Sequence, residues 1–377
     1  LTVDFNVTGL FKTTGTVKIE DIIAFSTLWN HSKKILILAG ECYPDSVEQK
    51  WIDALASSQS VVFLSEANSN IHHPDVINSI DLLITPFTND EFEILQPRIL
   101  ITFGGMIVSK RIKSFLRKYK PRHHWHIDEN RAYDTFGILT QHFQVSPNQF
   151  FSQFLPHVKA LDSNYKSSFK NIISIRKKKR ASFLEKISFS DLKVFDIILK
   201  HLPKSCMLQV SNSSAIRYIQ LFDVPKGISV FCNRGTSGID GSTSTAIGAA
   251  ITTKKTTYLI TGDIGFFYDS NALWNNYIPK NFKIILVNNS GGGIFRILPG
   301  HEENEVFNTF FETSHSLTAK NLAEMYNFDY HVASDEKSLV KGLKDIADEN
   351  HKPCILEIFT PEKENDKILK EFFNELD

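Results

Sequence analysis

The chain has 377 residues, and its 42 lysine and arginine residues balance its 42 aspartate and glutamate residues. This neutral total excludes a chain whose overall charge draws it to nucleic acid or to an anionic membrane. Its length exceeds what one hydrophobic core usually fills, so we expect two domains. The cysteines are scattered without a C-x-x-C pair, which argues against a disulfide framework or a thiolate zinc site. No apolar run reaches the roughly 18 residues of a membrane span, and the first residues lack a signal-peptide pattern, so we expect a cytoplasmic protein.

Short apolar runs alternate with helical patterns in the first half of the chain. Such alternation is typical of buried strands in a parallel sheet. It predicts a doubly wound α/β domain, which we place at residues 1–177 with an N-terminal linker at 1–20. The predicted strands are Ile35–Gly40, Ser60–Leu64, Leu82–Ile84, Ile99–Gly105 and Trp125–Asp128.

A polar and basic stretch, Lys166–Arg180, follows a helical pattern that begins near Asn148. We expect it to bury little and to mark the domain boundary. Its run Arg176–Arg180 is of a kind that binds nucleic acid or acts as an import signal. In a neutral chain, a solvated face or a linker is the more ordinary interpretation, so we expect no nucleic-acid partner.

Three histidines, His123, His124 and His126, stand close enough together to suggest metal ligands. Trp125 and Ile127 alternate with two of them, as in a strand with one solvated face. The strand is the favoured interpretation, and the metal site stays the alternative.

The second half of the chain repeats the alternation of strands and helices and predicts a second parallel-sheet domain at residues 178–377. Helices are predicted near 213–221, 243–252, 317–326, 338–349 and 364–374. The predicted strands are Met207–Val210, Ser229–Cys232, Tyr258–Ile260, Phe282–Val287 and Cys354–Phe359.

Two motifs follow successive strands of this second domain, Thr261–Gly265 and Asn288–Gly293. Their polar side chains leave the carboxyl ends of parallel strands, where open α/β sheets bind ligands. One carboxylate, one amide oxygen and loop carbonyls suit Mg²⁺, and flanking glycines let backbone N–H groups approach phosphate oxygens. The alternative is two unrelated turns. The pair resembles the diphosphate-binding signature of thiamine-diphosphate enzymes, in which a Gly-Asp turn is followed by Asn roughly thirty residues later.

Glycines Gly235, Gly238 and Gly241 precede a predicted helix rich in alanine and threonine. Their spacing is not the dinucleotide pattern G-x-G-x-x-G, but a helix N-terminus behind glycines still suits an anion. The segment Asn233–Ala246 resembles the SEPHCHC synthase family of menaquinone biosynthesis, a family of thiamine-diphosphate transferases. The resemblance extends to Ser211–Ser213 with Arg217, Asp269–Asn271, Asn288–Phe295 with Leu298–Pro299, and Lys110–Arg111.

The resemblance implies a cofactor role for individual residues. Mg²⁺ or Mn²⁺ would be held by Asp263, Asn289 and the Gly291 carbonyl. Ile239 would support the folded shape of thiamine diphosphate. The other residues implied to contact the cofactor are Ser237, Gly238, Gly262, Ile264, Gly265, Gly292 and Ile294.

The resemblance also implies a reaction, in which 2-oxoglutarate loses carbon dioxide and its succinyl unit adds to isochorismate. Arg217, Arg234 and Ser213 would hold substrate carboxylates, because a planar guanidinium binds them in a bidentate manner. Lys110 would reach the same pocket from the first domain, and Phe295 would wall the reacting centre.

Members of the resembled family carry a further N-terminal domain that supplies a glutamate to the pyrimidine of the cofactor. The start of this chain resembles the linker after that domain, so we expect the middle and diphosphate-binding domains alone, with little activity in isolation. A homodimer or homotetramer is expected of the full-length protein. Two alternatives stay open: a thiamine-diphosphate enzyme acting on another 2-oxo acid, and a non-catalytic module that retains the fold.

Overall fold

The structure, a computed structural model, describes residues 15–297, 302–348 and 351–376. Most of the predicted linker and the Leu298–Pro299 pair lie outside the described residues. Two six-stranded sheets, both parallel throughout, organise the rest of the chain. The predicted fold class, two parallel-sheet α/β domains, is therefore confirmed.

The first sheet has the strand order β3-β2-β1-β4-β5-β6. Four of its strands fall where the apolar runs predict them, and the two short outer strands β3 and β6 were not predicted. Its strands are β1 (Ile35–Ala39), β2 (Val61–Ser65), β3 (Val76–Ile77), β4 (Ile99–Phe103), β5 (His123–Ile127) and β6 (Gln141–Phe143).

The predicted strand Leu82–Ile84 is wrong, because these residues belong to a helix. The Leu83 amide donates to the Ser79 carbonyl oxygen over 3.1 Å, which is the helical pattern. A short buried apolar run fits a strand and a buried helical turn equally well, so periodicity cannot separate them. The helices of the first domain are α1 (Ile19–Asn30), α2 (Gln49–Ser57), α3 (Ile80–Ile84), α4 (Asn89–Leu95), α5 (Lys110–Lys118) and α6 (Pro147–Phe154).

A single 22-residue helix, α7 (Tyr165–Lys186), runs through the predicted domain boundary. The expectation that this stretch buries little is wrong, since Phe169 is 1% exposed and Arg176 is 5% exposed. The Arg176 guanidinium lies 4.7 Å from the centre of the Phe87 ring, a cation–π distance. The basic run therefore belongs in part to the core, and the exact boundary between the domains stays a prediction.

The histidines near residue 124 lie on β5, so the predicted strand is confirmed. The predicted solvated face is wrong, since His124 is 1% exposed. His124 Nε2 and His126 Nδ1 each lie 2.8 Å from the Thr102 hydroxyl oxygen. Burial lowers the pKa of His124 to about 4. These contacts explain the polar side chains as a hydrogen-bonded group within the first sheet.

The second sheet has the order β11-β12-β10-β9-β7-β8. The five predicted strands are present, and the edge strand β11 (Asp329–Ala333) was not predicted because only part of its sequence is apolar. The other strands are β7 (Met207–Val210), β8 (Ser229–Phe231), β9 (Thr257–Gly262), β10 (Phe282–Asn288) and β12 (Cys354–Phe359).

The helices of the second domain include the five that were predicted, with shifted ends. One long helix, α8, was not predicted, although it is largely buried. The helices are α8 (Asp191–His201), α9 (Ser214–Ile219), α10 (Ser242–Thr252), α11 (Asp263–Tyr268), α12 (Ile294–Ile297), α13 (Lys320–Met325), α14 (Glu336–Asp348) and α15 (Asn365–Glu375).

Side-chain amides connect the two domains near the carboxyl ends of both sheets. Asn70 accepts from the Val230 amide over 2.7 Å and donates to the Val230 carbonyl oxygen over 2.9 Å, so it takes the place of a neighbouring strand at the edge of β8. Gln220 accepts from the Ala67 amide over 3.1 Å. Across the part of the chain that the structure describes, no helix has the length and hydropathy to cross a membrane.

Candidate functional site

A cavity of about 140 Å³ opens at the carboxyl ends of β7, β9 and β10. We call it the diphosphate cleft. Both sequence motifs of the second domain reach it, as does the loop after β7. The predicted site residues that line it are Ser213, Ile239, Gly262, Asp263, Ile264, Gly265, Asn289, Gly291, Gly292, Ile294 and Phe295.

Asp263, the first residue of α11, is 2% exposed. Its Oδ1 accepts from the Ile264 amide over 2.7 Å, and its Oδ2 accepts from the Gly291 amide over 3.0 Å. The structure thus brings the two motifs into direct contact. A carboxylate held by two backbone N–H groups keeps a fixed orientation toward the cleft.

His315 is a second partner of Asp263 that the sequence did not indicate. Its Nε2 lies 3.3 Å from Asp263 Oδ2, and its Nδ1 accepts from the Leu317 amide over 3.1 Å. The contact with Asp263 raises the pKa of His315 above its ordinary value. Because Nδ1 accepts a hydrogen bond, a neutral His315 ring carries its proton on Nε2. Nε2 makes no hydrogen bond among the described residues, so its contact with Asp263 is electrostatic.

Asn289 lies across the cleft from Asp263 and contacts a buried acid, Asp191. Its Nδ2 donates to Asp191 Oδ2 over 3.0 Å. Burial raises the pKa of Asp191 to about 6, and the nearby Asp263 carboxylate acts in the same direction. Asp191 opens α8, and no spacing in the sequence connects it with either motif.

Other backbone segments approach two glycines of the motifs closely. A Cβ added at Gly291 would lie 2.8 Å from the Glu312 carbonyl oxygen, and one at Gly265 would lie 3.3 Å from the Ile239 carbonyl oxygen. Larger side chains would push the walls of the cleft apart. The glycines therefore keep the backbone near the space where a phosphate group would lie.

The loop between β8 and α10 carries the Ser237 and Gly238 pair, which is exposed and does not line the diphosphate cleft. Asn212 holds this loop, because its Nδ2 donates to the carbonyl oxygens of Asn233 (2.8 Å) and Gly238 (2.7 Å). Ser237 has φ +61°, a left-handed conformation that is uncommon for a residue with a side chain.

Asp269 fixes the start of α10, the helix behind the three glycines. Its carboxylate accepts from the Ser244 amide over 2.7 Å and from the Ser244 hydroxyl over 2.6 Å. The first bond uses one backbone donor, the Ser244 amide, that a free helix N-terminus would offer to an anion.

A second cavity of about 560 Å³ lies between the domains, and we call it the cationic pocket. Lys110, Arg111 and Arg217 line it, which joins the first domain to the second at one site. Ser214 and Ile294 line both this pocket and the diphosphate cleft. The two cavities are therefore neighbours with a common wall.

Arg217 lines the cationic pocket, and Arg234, which lines neither cavity, lies near it. Arg217 donates to the Ser213 carbonyl oxygen over 2.6 Å, and Arg234 donates to Asn212 Oδ1 over 2.6 Å. Burial and the neighbouring Arg234 guanidinium hold the pKa of Arg217 below its ordinary value. Asp81 acts on Arg217 in the opposite direction, and Arg234 Nε is buried with no hydrogen-bond partner among the described residues. The two adjacent, partly buried cations therefore suit a further carboxylate ligand.

Ser213 links the cations to the cleft and has φ +70° and ψ −128°. Such a conformation in a residue with a side chain costs free energy and is found mainly at functional sites. It turns the Ser213 carbonyl oxygen toward Arg217 while the residue lines the diphosphate cleft.

Aromatic side chains close one side of the cleft. Phe295 and Phe311 meet edge to face with ring centres 5.8 Å apart. Arg296 forms a buried ion pair with Glu312, which secures the segment Phe307–Glu312 over the cleft. Some residues reach the cleft or its acid only through the fold, so sequence reasoning missed them. Those that line the cleft are Asp191, Phe195, Phe311 and Thr313, and His315 contacts Asp263.

The residues of the cleft fit a divalent cation bound to a diphosphate. Within residues 15–297, 302–348 and 351–376, no three His, Cys, Asp or Glu side chains form a metal cluster. The available donors are the Asp263 carboxylate, the Asn289 amide oxygen and the Gly291 carbonyl oxygen, which also accepts from the Gly293 amide over 3.0 Å. Mg²⁺ and Mn²⁺ accept such oxygen ligands and usually complete their shell with phosphate and water.

Comparison with known proteins agrees with this architecture. A family model described as the middle domain of thiamine pyrophosphate matches residues 18–210. A second one, described as the C-terminal TPP binding domain of thiamine pyrophosphate enzymes, matches residues 213–358.

Three relatives carry the name 2-succinyl-5-enolpyruvyl-6-hydroxy-3-cyclohexene-1-carboxylate synthase. The protein of Flavobacterium psychrophilum is 61% identical over 358 residues, which is 95% of this chain and 65% of the relative. That of Flavobacterium johnsoniae is 56% identical over 377 residues, 100% of this chain and 68% of the relative. That of Bacteroides fragilis is 36% identical over 304 residues, 80% of this chain and 54% of the relative. The chain thus spans about two thirds of the length of its Flavobacterium relatives, and it belongs to the 2-succinyl-5-enolpyruvyl-6-hydroxy-3-cyclohexene-1-carboxylate synthase family of thiamine-diphosphate enzymes.

Proposed function

We propose that this chain forms the middle and cofactor-binding parts of a transferase on the route to menaquinone. In the proposed reaction, the bond between the oxo carbon of 2-oxoglutarate and its adjacent carboxyl group breaks, and that carboxyl group leaves as carbon dioxide. The remaining succinyl unit, which keeps the distal carboxylate, adds to the conjugated double bond of isochorismate. The observation that carries the proposal is the wall that the two cavities share. Ser214 and Ile294 line both, so a cofactor in the diphosphate cleft and an anionic substrate in the cationic pocket would be neighbours.

The diphosphate cleft would hold thiamine diphosphate through its phosphate groups. Asp263, Asn289 and Gly291 would bind Mg²⁺ or Mn²⁺, and the backbone at Gly265 and Gly292 would contact phosphate oxygens. When bound, thiamine diphosphate supplies the nucleophilic carbon and the electron sink for cleavage of a 2-oxo acid. Ile239 would support its folded shape from below. Ser237 and Gly238 would come to the phosphates from the exposed loop.

The cationic pocket would select dianionic substrates. Arg217, which lines the pocket, and Arg234, which lies beside Arg217, would bind carboxylates by paired hydrogen bonds. Lys110 would add a positive charge from the first domain. Ser213 would hold Arg217 through its carbonyl oxygen, as it does in the structure. Phe295 and Ile294 would exclude water from the reacting atoms, which strengthens electrostatic contacts inside the site.

The test uses the complete gene product that contains this chain. Consumption of 2-oxoglutarate is followed with Mg²⁺ and thiamine diphosphate, in the presence and absence of isochorismate, and pyruvate serves as the competing substrate. We expect turnover of 2-oxoglutarate that depends on isochorismate. Turnover of pyruvate in its place would favour another 2-oxo acid enzyme, and no turnover of any 2-oxo acid would favour a non-catalytic module.

Arg217→Ala tests the substrate role of the cationic pocket. We expect KM for 2-oxoglutarate or isochorismate to rise at least roughly tenfold, since a charged hydrogen bond to a carboxylate contributes about 1.5–3 kcal/mol. Thiamine-diphosphate affinity should stay unchanged. Arg122→Ala, at an exposed arginine of the first domain, is the matched control.

A homodimer or homotetramer and a cytoplasmic location stay predictions.

A further inference from the structure

Asp191 is a buried acid of the diphosphate cleft to which the proposed cofactor site assigns no role. It is the first residue of α8, and it is 3% exposed. An ordinary function for an acid at this position is to stabilise the start of its helix. The side-chain contacts of Asp191 indicate a different function.

The Asp191 carboxylate is held from two directions. Oδ1 accepts from the Thr360 hydroxyl over 2.6 Å, and Oδ2 accepts from the Asn289 amide nitrogen over 3.0 Å. The backbone amide of Asp191 donates to Asn365 Oδ1 over 2.8 Å. Thr360 follows β12 and is itself bonded through its amide to the Asn288 carbonyl oxygen over 3.0 Å. The carboxylate is therefore tied to the same strand ends that carry the cleft.

The contact with Asn289 decides how that side chain can serve a cation. A carboxamide has an oxygen and a nitrogen of nearly the same shape, and only the oxygen can bind a metal ion. Because Asp191 Oδ2 accepts a hydrogen bond from the amide nitrogen of Asn289, the amide oxygen points away from Asp191. We propose that Asp191 is a positioning residue that fixes the Asn289 amide with its oxygen toward the divalent cation. This inference rests on the proposed function, because it takes Asn289 as a ligand of that cation.

The experiment measures metal binding and not turnover. Free Mn²⁺ is read from its electron paramagnetic resonance signal while the complete gene product is titrated in the presence of thiamine diphosphate. Asp191→Ala should bind Mn²⁺ about 10–100-fold more weakly, the usual effect of losing a residue that orients a ligand. Asp191→Asn keeps an acceptor oxygen for Asn289 and a donor for Thr360, so its affinity should stay within about threefold of the unaltered protein.

Two further variants separate positioning from stability. Asn365→Ala removes the partner of the Asp191 amide, the bond to the Pro361 carbonyl oxygen and a minor contact with the Asp191 carboxylate, so it loosens the same helix start. It keeps the Asn289 contact, and it should leave Mn²⁺ affinity within about threefold. Asp191→Ser has a hydroxyl too short to reach Asn289, and it replaces Asp191→Ala if that variant does not fold. Its urea unfolding is measured without metal.

The outcomes distinguish the inference from the proposed function. Mn²⁺ binding that is lost in Asp263→Ala but unchanged in Asp191→Ala or Asp191→Ser overturns the positioning role alone. If Asn365→Ala binds Mn²⁺ as weakly as Asp191→Ala does, the positioning role is also overturned, since loss of stability then explains the weak binding of both variants. No Mn²⁺ binding by the unaltered protein overturns the inference together with the proposed metal site.

Discussion

The two sheets share a topological feature and differ in what occupies it. In the first sheet, β1 leads outward to β2 and β3, and β4 lies on its other side. In the second, β7 leads outward to β8, and β9 lies on its other side. The direction in which strands are added to the sheet therefore reverses at β1 and at β7. Open α/β sheets bind ligands at such a reversal of strand order, outside the carboxyl ends of the strands.

In the first sheet, backbone fills this position. The Gly40 amide donates to the Phe103 carbonyl oxygen over 2.9 Å, and the Gly105 amide donates to the Glu41 carbonyl oxygen over 2.7 Å. In the second sheet, the loops after β7 and β9 separate and line the diphosphate cleft. The reversal of strand order provides a place for a ligand in each sheet, but the loops decide whether that place is open. We call the position at β7 the open reversal and the position at β1 the closed reversal.

Asp263→Ala should have the largest effect, because it removes the proposed charged ligand from the open reversal. Affinity for the divalent cation should fall roughly 1,000-fold, about 4 kcal/mol, since loss of a residue that only orients a ligand already costs 10–100-fold. Isothermal titration of the complete gene product with Mg²⁺ and thiamine diphosphate measures it. Asp240→Ala, at an exposed acid of the neighbouring loop, is the control. Equal affinity in both variants would remove Asp263 from the metal site.

Sequence reasoning predicted the open reversal better than the closed one. The Gly-Asp turn after β9 and the Asn-rich turn after β10 are local patterns, so their position at strand ends follows from neighbouring residues. Asp191 and His315 reach the same cleft through tertiary packing, which no local pattern encodes. The helix at Leu82–Ile84 was missed for a related reason, because the same apolar run satisfies two local structures. Edge strand β11 is too polar for its pattern to be recognised.

Gly40→Ala should disrupt the closed reversal. An added Cβ would lie 2.1 Å from the Gly105 carbonyl oxygen, so the two loops must separate, and we expect a loss of about 3 kcal/mol in the free energy of unfolding. Gly265→Ala is the matched change at the open reversal, where the nearest atom lies 3.3 Å away. That variant should lose about 1 kcal/mol or less but weaken thiamine-diphosphate binding. Urea unfolding and cofactor titration of both variants measure the difference, and the reverse result would refute the comparison.

Glu66, which follows β2, is a buried acid of the closed region. It accepts from the Val108 amide over 2.6 Å and the Ser109 amide over 2.7 Å. Burial nevertheless raises its pKa from 4.5 to about 7. The folded protein therefore holds this proton to higher pH than the unfolded chain does, and stability is lost as the pH rises from about 4.5 to about 7.

Titration of Glu66 should lower the free energy of unfolding by about 2–3 kcal/mol between about pH 4.5 and about pH 7. Glu66→Gln cannot titrate, and it also turns an N–H group toward one of the two backbone donors. It should be less stable than the unaltered protein at pH 5, with a difference that shrinks toward pH 7. Urea unfolding at both pH values measures this, with Glu93→Gln at an exposed acid as the control. A constant difference would mean that Glu66 does not titrate in this range.

Asn70→Gly should have a smaller effect on stability than Gly40→Ala, because it tests the connection between the two regions rather than either one. Asn70 has φ +53°, a left-handed conformation that suits glycine, so the change leaves the backbone unstrained. It removes the side-chain bonds to Val230 and one bond of 2.9 Å to the Cys42 carbonyl oxygen in the first domain. Two backbone groups at the edge of β8 then lose their partners, which should cost about 1–2 kcal/mol. Hydrogen exchange at the Val230 amide measures the loss directly, and Asn78→Gly, which removes one bond within the first domain, is the control. Faster hydrogen exchange that is confined to β8 in Asn70→Gly would mean that the Asn70 side chain supports this edge strand, which leads into the loop that carries Arg234. Unchanged exchange there would mean that the domains are held together by the apolar contacts around α7 and α9 instead.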